Sequence, residues 1–192
     1  SFASVSGLSP NINYRVMVCE YNGVTSWEKY NTSFTLNNPL NILTDFIAPT
    51  IQSSTVQVTE NNPDHIIINW TRGNGSLCAG FIKATTNQSA LPVNNTTYTA
   101  DTIFKNGTQI GSSGWYCFYK GNGHESAIHG LSSNKTYRIT ICEYNGSPGK
   151  EKYKTDPASD NPVNIMTMPA VFSLSGGGAY CAGQIPTVVH IK

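Results

Sequence analysis

Charge is scarce in this chain. Asp, Glu, Lys and Arg make up only 12% of its 192 residues, with a formal net charge of +1, whereas soluble domains average roughly 25%. The polar surface must therefore come from Asn, Thr, Ser and Gly. Phosphate backbones and anionic membranes are bound by clustered Lys and Arg, so we expect neither nucleic acid nor an anionic membrane as a partner.

Three further patterns are missing. No apolar run approaches the ~20 residues that cross a bilayer, so we expect no membrane span. The five cysteines show no C-x-x-C spacing and the four histidines no H-x-x-x-H spacing, so neither a metal nor another cofactor is predicted. The first residues lack the charged and apolar segments of a signal peptide, and we expect an internal part of a longer protein.

An internal repeat organises what is present. Residues 5–46 align without a gap with residues 128–169. The shared positions include Gly7, Leu8, Tyr14, Arg15, Cys19, Glu20, Tyr21, Asn22 and Gly23, which recur as Gly130, Leu131, Tyr137, Arg138, Cys142, Glu143, Tyr144, Asn145 and Gly146. The chain therefore contains the end of one repeat copy, a complete copy and a following segment.

The repeat is composed of strand and turn signals. Residues 65–70 (HIIINW) are β-branched and end in an aromatic residue, and apolar residues alternate with others along 137–142. Asn145-Gly146 and Asn22-Gly23 are typical of two-residue type I′ hairpin turns. No window shows a helical apolar stripe, so the predicted fold class is all-β, with antiparallel β-sandwiches in tandem.

The complete copy resembles a fibronectin type III domain, on the basis of Trp70 on an early strand and the Leu131-x5-Tyr137 spacing before a late strand. The resemblance implies a core Trp and a corner Tyr. A longer set of motifs resembles the enlarged fibronectin-type-III-like repeats of secreted Bacteroidetes proteins, many of them exported by type IX secretion. These motifs are Trp70-x-x-Gly73-Asn74-Gly75, Leu91-Pro92, Tyr98, Gly111, Gly130-Leu131, Tyr137, Glu143-Tyr144-Asn145-Gly146, Tyr153 and Asn161-Pro162.

The resemblance implies three domains. Residues 1–47 form the C-terminal half of one repeat, and residues 48–168 form a complete repeat with an insertion around 90–113. Residues 169–192 resemble the first strands of a truncated immunoglobulin-like or PKD-like domain, which includes Cys181. Short linkers are expected near 47–49 and 168–169, where a Pro restricts the backbone and stiffens the junction.

Catalytic interpretations are weak. Glu143 and Glu151 have the residue type needed for the acid pair of a glycosidase, but the Glu-Tyr-Asn-Gly motif recurs in both copies, which favours a structural role with a surface Glu. The histidines lie near no nucleophile motif. We therefore predict no catalytic residues, no cofactor-binding residues and no enzyme activity.

The resemblance suggests two modifications. It makes the strands that carry Cys78 and Cys142 neighbours, so a cross-strand disulfide between them is one interpretation, and two unpaired thiols are the other. Asp101-Thr102-Ile103 matches the short sequence that Bacteroidetes use for O-glycosylation, which makes Thr102 a candidate glycosylation site.

An aromatic cluster is the last candidate site. Trp115, Tyr116, Phe118 and Tyr119 are closely spaced, and Trp115, Tyr116 and Tyr119 are candidate ligand contacts, because aromatic side chains stack on sugars. Packing between the insertion and the sandwich is the favoured alternative.

The resemblance points to an adhesin or stalk at a bacterial cell surface, secreted and attached to the outer membrane, and of the gliding-motility kind. Its expected partners are neighbouring repeats of the same chain, the secretion or anchoring machinery, and polysaccharide or other surfaces. Two alternatives remain at this point: an accessory spacer of a secreted multidomain hydrolase, and a carbohydrate-binding module.

Overall fold

A computed structural model of the chain describes residues 2–171 together with the pairs 174–175 and 190–191. In these residues the regular structure is strand, without a helix. The predicted domain at 169–192, including Cys181, lies almost wholly outside the described residues. The strands are β1 Asn13–Val16, β2 Tyr21–Asn22, β3 Lys29–Tyr30, β4 Leu40–Leu43, β5 Ser54–Asn61, β6 Ile66–Thr71, β7 Leu77–Lys83, β8 Tyr116–Gly121, β9 Glu125–Ile128, β10 Thr136–Asn145, β11 Lys152–Tyr153, β12 Val163–Met166, β13 Leu174–Ser175 and β14 His190–Ile191.

The complete copy is an antiparallel sandwich of two sheets. One sheet has the strand order β5-β6-β9, and the other has the order β11-β10-β7-β8, with β12 also paired to β10. β10 is long enough to pair with both β12 and β11, at 136–139 and at 144–145 respectively. This arrangement confirms the predicted all-β fold class.

The inner core lies between the two sheets. β6 alternates strictly, with Ile66, Ile68 and Trp70 buried and the residues between them partly exposed, as expected for a strand that covers a core with one face. These side chains pack against Tyr137 and Ile139 of β10 and their neighbours. The predicted core Trp and corner Tyr are both confirmed, since the Tyr137 hydroxyl accepts a hydrogen bond from the Ser132 amide at 2.8 Å.

A second core lies on the outer face of the five-stranded sheet. The long segment between β7 and β8 folds over this face and contributes Ala90, Tyr98, Ile110 and Trp115. β7 and β10 are consequently buried on both faces, which explains the nearly continuous apolar run of β7. In β10 the apolar residues alternate with others along 137–142, but Thr140 and Cys142 on the second face are buried as well. The insertion also pairs with the edge of β8, where the Cys117 amide donates to the Thr108 carbonyl at 3.0 Å.

The first copy has the backbone arrangement of the second. β1 pairs with β4 and β2 with β3, as β10 pairs with β12 and β11. The Tyr14 hydroxyl accepts from the Ser9 amide at 2.9 Å, and Asn38 bridges the amide and carbonyl of Val18, as Asn161 bridges those of Ile141. Both copies therefore form the same local structure.

The predicted two-residue turns are wrong. Asn145 pairs with Lys152, so residues 146–151 form a longer loop between β10 and β11. Gly146 has φ +119° and Gly23 has φ +116°, but neither preceding Asn has a positive φ, as a type I′ turn would require. The glycines are needed here because side chains rarely adopt this φ.

Candidate functional site

Glu143 is completely buried and fully hydrogen-bonded, so the prediction of a surface Glu is wrong. Its carboxylate accepts from Nε and Nη2 of Arg72 at 2.7 and 2.9 Å. The amides of Gly73 and Gly75 donate at 2.9 and 3.1 Å, and the Ser53 hydroxyl donates as well. Buried charge is tolerated in proteins when it is paired and hydrogen-bonded in this way.

The surroundings of the Glu143 carboxylate favour its ionised form. Burial alone would raise the pKa of Glu143, but the bonds from Arg72, Ser53 and the Gly73 amide outweigh it and hold that pKa below the usual Glu value. A Cβ at Gly75 would overlap the Glu143 carboxylate, so only glycine permits this approach. Glu143 thus fixes the loop after β6 to the end of β10, and it is not poised to exchange a proton near neutral pH.

Glu151 is a second buried carboxylate, but it lies on the other side of the five-stranded sheet. Its Oε1 accepts from the Thr97 hydroxyl and lies 3.4 Å from Nζ of Lys120. Among the described residues, its Oε2 has no hydrogen-bond partner. Burial raises the pKa of the nearby Tyr144 hydroxyl, and the Glu151 charge adds to that effect. Because Glu143 belongs to the inner side and Glu151 to the outer side, the two do not face one substrate.

The predicted disulfide between Cys78 and Cys142 is not formed, and both thiols are free. Cys78 pairs in register with Glu143, whereas Cys142 pairs with Ala79. Successive side chains point to opposite faces of a sheet, so Cys78 lies in the inner core and Cys142 in the outer core. Burial raises the pKa of the Cys78 thiol to about 12, and burial also raises the pKa of the Cys142 thiol.

The aromatic cluster is packed into the domain. Trp115 is 2% exposed and belongs to the outer core, so it is wrong as a sugar-stacking platform. Tyr116 is half-buried and packs edge-on against Phe104. Tyr119 packs edge-on against Trp70 with ring centroids 5.0 Å apart, and its hydroxyl accepts from the Gly123 amide. These aromatic residues therefore pack within the domain, as the favoured interpretation predicted.

Thr102 is exposed on an ordered segment beside β9. The Thr102 carbonyl accepts from the His129 amide at 2.8 Å, and the Phe104 amide donates to the His129 carbonyl at 2.9 Å. The Asp101 carboxylate accepts from the Ile103 amide at 2.8 Å. The Thr102 side chain is therefore accessible, and its modification stays a prediction.

The sequence predicted the junction near 47–49 and its Pro, but not the side-chain contacts that hold it. The side-chain oxygen of Asn74 accepts from the amides of Thr50 and Ile51 at 3.0 and 2.8 Å. The side-chain amide of Asn145 donates to the Ile47 carbonyl at 3.0 Å. Two asparagines of the complete copy thus hold the linker backbone, while Pro49 is buried.

An ion pair crosses the same junction. Nζ of Lys152 lies 2.6 Å from Oδ2 of Asp45, which follows β4 of the first copy. Asn95 of the insertion accepts from the same Lys152 ammonium at 3.0 Å. The hydrogen bond from Lys152 holds the pKa of Asp45 below its usual value. The insertion therefore helps to position a lysine against the preceding copy.

In the sequence, the Gly-Asn-Gly and Glu-Tyr-Asn-Gly motifs indicate turns and do not by themselves indicate a contact with a linker. The missed signal is that both motifs carry an Asn, whose side chain can both donate to and accept from backbone groups.

Among the described residues there is no cluster of three or more His, Cys, Asp or Glu side chains suited to a metal. Within the same part of the chain, no helix has the length and apolar character needed to cross a membrane.

No protein-family model matches the sequence, and no curated protein matches it. Among solved structures, the crystal structure of domains A168–A170 from titin is similar with a TM-score of 0.40 and 12% identity, over 67% of this chain and 35% of that one. The chain thus spans about a third of that titin fragment. The solution structure of the fourth FNIII domain of a human protein has a TM-score of 0.37 and 14% identity, over 81% of this chain and 96% of that one. The assignment of an all-β antiparallel sandwich rests on the strand pairing of this chain itself.

Proposed function

We propose that this chain is a non-catalytic, structural or adhesive repeat segment of a large secreted bacterial surface protein. The observation that supports this most is the junction, where the linker between two copies of one repeat is held by Asn74 and Asn145 and by the ion pair of Asp45 with Lys152. Contacts of this kind restrict the angle between successive copies. A row of copies joined in this way is a semi-rigid rod.

The contacts of the two buried carboxylates, Glu143 and Glu151, also support the proposal. The Glu143 carboxylate accepts hydrogen bonds from Arg72 and from backbone amides. The Glu151 carboxylate accepts a hydrogen bond from the Thr97 hydroxyl and pairs with the Lys120 ammonium. Both side chains are completely buried, so neither can reach a substrate in the described structure. The charges of these two carboxylates therefore stabilise loops of the domain and do not act on a substrate.

We also propose where the protein is located and how it is modified. We propose an outer-membrane-attached surface protein of Bacteroidetes, exported by type IX secretion and of the gliding-motility adhesin kind, with a glycan on the exposed Thr102. Its partners are neighbouring repeats of the same chain, the secretion and anchoring machinery, and a polysaccharide or other surface.

Surface labelling of intact cells tests this function. An antibody against residues 48–168 is expected to bind unbroken cells, and protease added outside them is expected to remove the epitope. A peptide map of the native protein should show added mass on the peptide that contains Thr102. Labelling only after lysis contradicts the surface proposal. A catalytic domain in the same polypeptide favours the hydrolase spacer instead.

A further inference from the structure

We propose that Lys83 and Arg138 of the complete copy form a binding site for the carboxylate groups of an acidic polysaccharide. The site lies on the outer face of the five-stranded sheet, beside the outer core. This proposal deepens the proposed function, on which it rests, because it gives the polysaccharide partner a chemical class and a place on the domain.

The two cations are neighbours in one row across the sheet. Lys83 on β7 pairs in register with Arg138 on β10, and Arg138 pairs with Asn164 on β12. Tyr137 and Ile139, on either side of Arg138, belong to the inner core, so the three side chains of the row share the outer face. Like charges directly opposite each other on neighbouring strands are destabilising, and an anion bound to both removes that repulsion.

No carboxylate of the described residues neutralises this pair. Other cations of the complete copy, such as Arg72 and Lys120, form ion pairs with buried carboxylates. Within the described residues, by contrast, neither Lys83 nor Arg138 forms an ion pair. Both side chains are partly exposed, so an anion from outside can reach them.

Uncharged oxygens hold the two cations in place instead. Nζ of Lys83 donates to the side-chain oxygen of Gln88 at 2.6 Å. Nε of Arg138 donates to the Gln88 carbonyl at 2.7 Å, and its Nη1 donates to the side-chain oxygen of Asn164 at 2.8 Å. Nη2 of Arg138 has no acceptor in the part of the chain that the structure describes, and the Lys83 ammonium keeps further N–H donors. These donors suit a carboxylate, which forms charge-assisted hydrogen bonds with both groups.

Gln88 brings the two like charges together, and its backbone is strained. It accepts from Lys83 with its side chain and from Arg138 with its carbonyl, and its φ is +72°. A residue other than glycine rarely has a positive φ, and strained backbones of this kind cluster at ligand-binding sites. A strained residue that positions two cations side by side is therefore consistent with a binding site.

A polar cleft continues from the row along the same face. It has a volume of about 410 Å³ and is lined by Ala84, Thr85, Thr86, Asn87, Lys135 and Thr136. The Thr86 carbonyl accepts from the side-chain amide of Asn164 at 2.9 Å, which connects the cleft to the row. Hydroxyl and amide groups in the lining can exchange hydrogen bonds with sugar hydroxyls, so the site suits an acidic sugar better than an isolated anion.

The sparse charge of the chain favours a polysaccharide over a nucleic acid. A phosphate backbone is bound by many clustered Lys and Arg residues, whereas only 12% of this chain is charged. Part of the row also recurs in the first copy, where Arg15 pairs in register with Asn41. Weak sites that recur along one chain bind a polymer with increased overall affinity.

Calorimetry with a hexasaccharide of galacturonic acid and the purified full chain tests the proposal. Lys83→Gln combined with Arg138→Gln should weaken binding by at least about tenfold, because charge-assisted hydrogen bonds are lost. Lys105→Gln combined with Lys154→Gln removes the same charge outside the row and the cleft, and it should leave the affinity unchanged. Equal losses in the two double variants, or no binding by the parent chain, overturn the proposal. Binding of dextran sulfate without binding of the galacturonate overturns it as well.

Carbodiimide coupling tests the site in the parent chain and so does not depend on the folding of a variant. The reagent joins a carboxylate to a lysine ammonium that it contacts. Peptide mass spectrometry should show the hexasaccharide on Lys83 before it appears on Lys105, and coupling spread evenly over both lysines overturns the proposal. Because both experiments use the purified chain, failure here leaves the result of surface labelling on cells intact, and the two proposals can fail separately.

Discussion

Glu143 and Glu20 occupy the same place in two copies of one motif, yet Glu143 is completely buried and Glu20 is exposed. The first is held by a guanidinium and two backbone amides. The second is open to solvent. This pair offers an internal control, because the same substitution can be made in both environments of one chain.

Glu143→Gln should lower the free energy of unfolding of the complete copy by about 3 kcal/mol, since removal of one partner leaves a buried charge uncompensated. Chemical denaturation measures the change. Glu20→Gln is the matched control and should leave the transition of the complete copy in place. Equal effects of the two substitutions would contradict the structural role of Glu143.

The same carboxylates predict how stability depends on pH. The pKa values of Glu143 and Glu151 are lowered on folding, so below the ordinary Glu pKa of about 4.3 the unfolded chain binds more protons than the folded chain. Stability is therefore fully present above that pH and falls as the pH drops through the folded values. Denaturation midpoints between pH 7 and pH 3 measure this loss.

The Glu143→Gln variant serves as the control for the pH series. It should show a shallower fall in stability with acid than the parent chain, because one of the two buried carboxylates with a lowered pKa has been removed. An identical slope in both proteins would mean that Glu143 does not contribute to the acid sensitivity.

Thiol labelling should separate the cysteines by burial. Cys19 is partly exposed, whereas Cys78, Cys117 and Cys142 are buried. Burial raises the pKa of Cys78 and of Cys117 to about 12, and the thiolate is the reactive form. Among these four cysteines, iodoacetamide at pH 8 should label Cys19 and spare Cys78, Cys117 and Cys142 until denaturant is added, as read by peptide mass spectrometry. A Cys78–Cys142 peptide that disappears on reduction would contradict the sheet register.

The range of angles between the two copies should depend on the ion pair between Asp45 and Lys152. Asp45→Asn should widen the range of angles between the two copies without shifting the unfolding midpoint of the complete copy, because Asp45 is outside that domain. Small-angle scattering in low salt measures the change in shape. Glu125→Gln, an exposed carboxylate on β9, is the control and should leave the scattering unchanged.

The fold class could be predicted because its signals are local. The β-branched run at 65–70, the alternation along 137–142 and the Leu131-x5-Tyr137 spacing do not depend on distant residues. The burial of Glu143 was not predictable in this way, because it depends on Arg72 and Ser53, which lie far from it in the sequence.

The disulfide prediction failed for a related reason. The neighbouring strands of Cys78 and Cys142 were assigned correctly, but a shift of one residue in register places a side chain on the opposite face. The junction near 47–49 was predicted, but its contacts with Asn74 and Asn145 were not, because an Asn beside a Gly has the same sequence pattern whether it only forms a turn or also binds a linker.

Single-molecule stretching of the full chain tests most directly whether the complete copy is the one mechanical unit in the described part of the chain. The strands from β5 to β12 enclose about 110 residues, so their unfolding should lengthen the chain by roughly 35–40 nm, at up to about 3.6 Å per residue. We expect one such step, because the first copy lacks its covering sheet. Two steps of similar force, or extension without any step, would contradict this account.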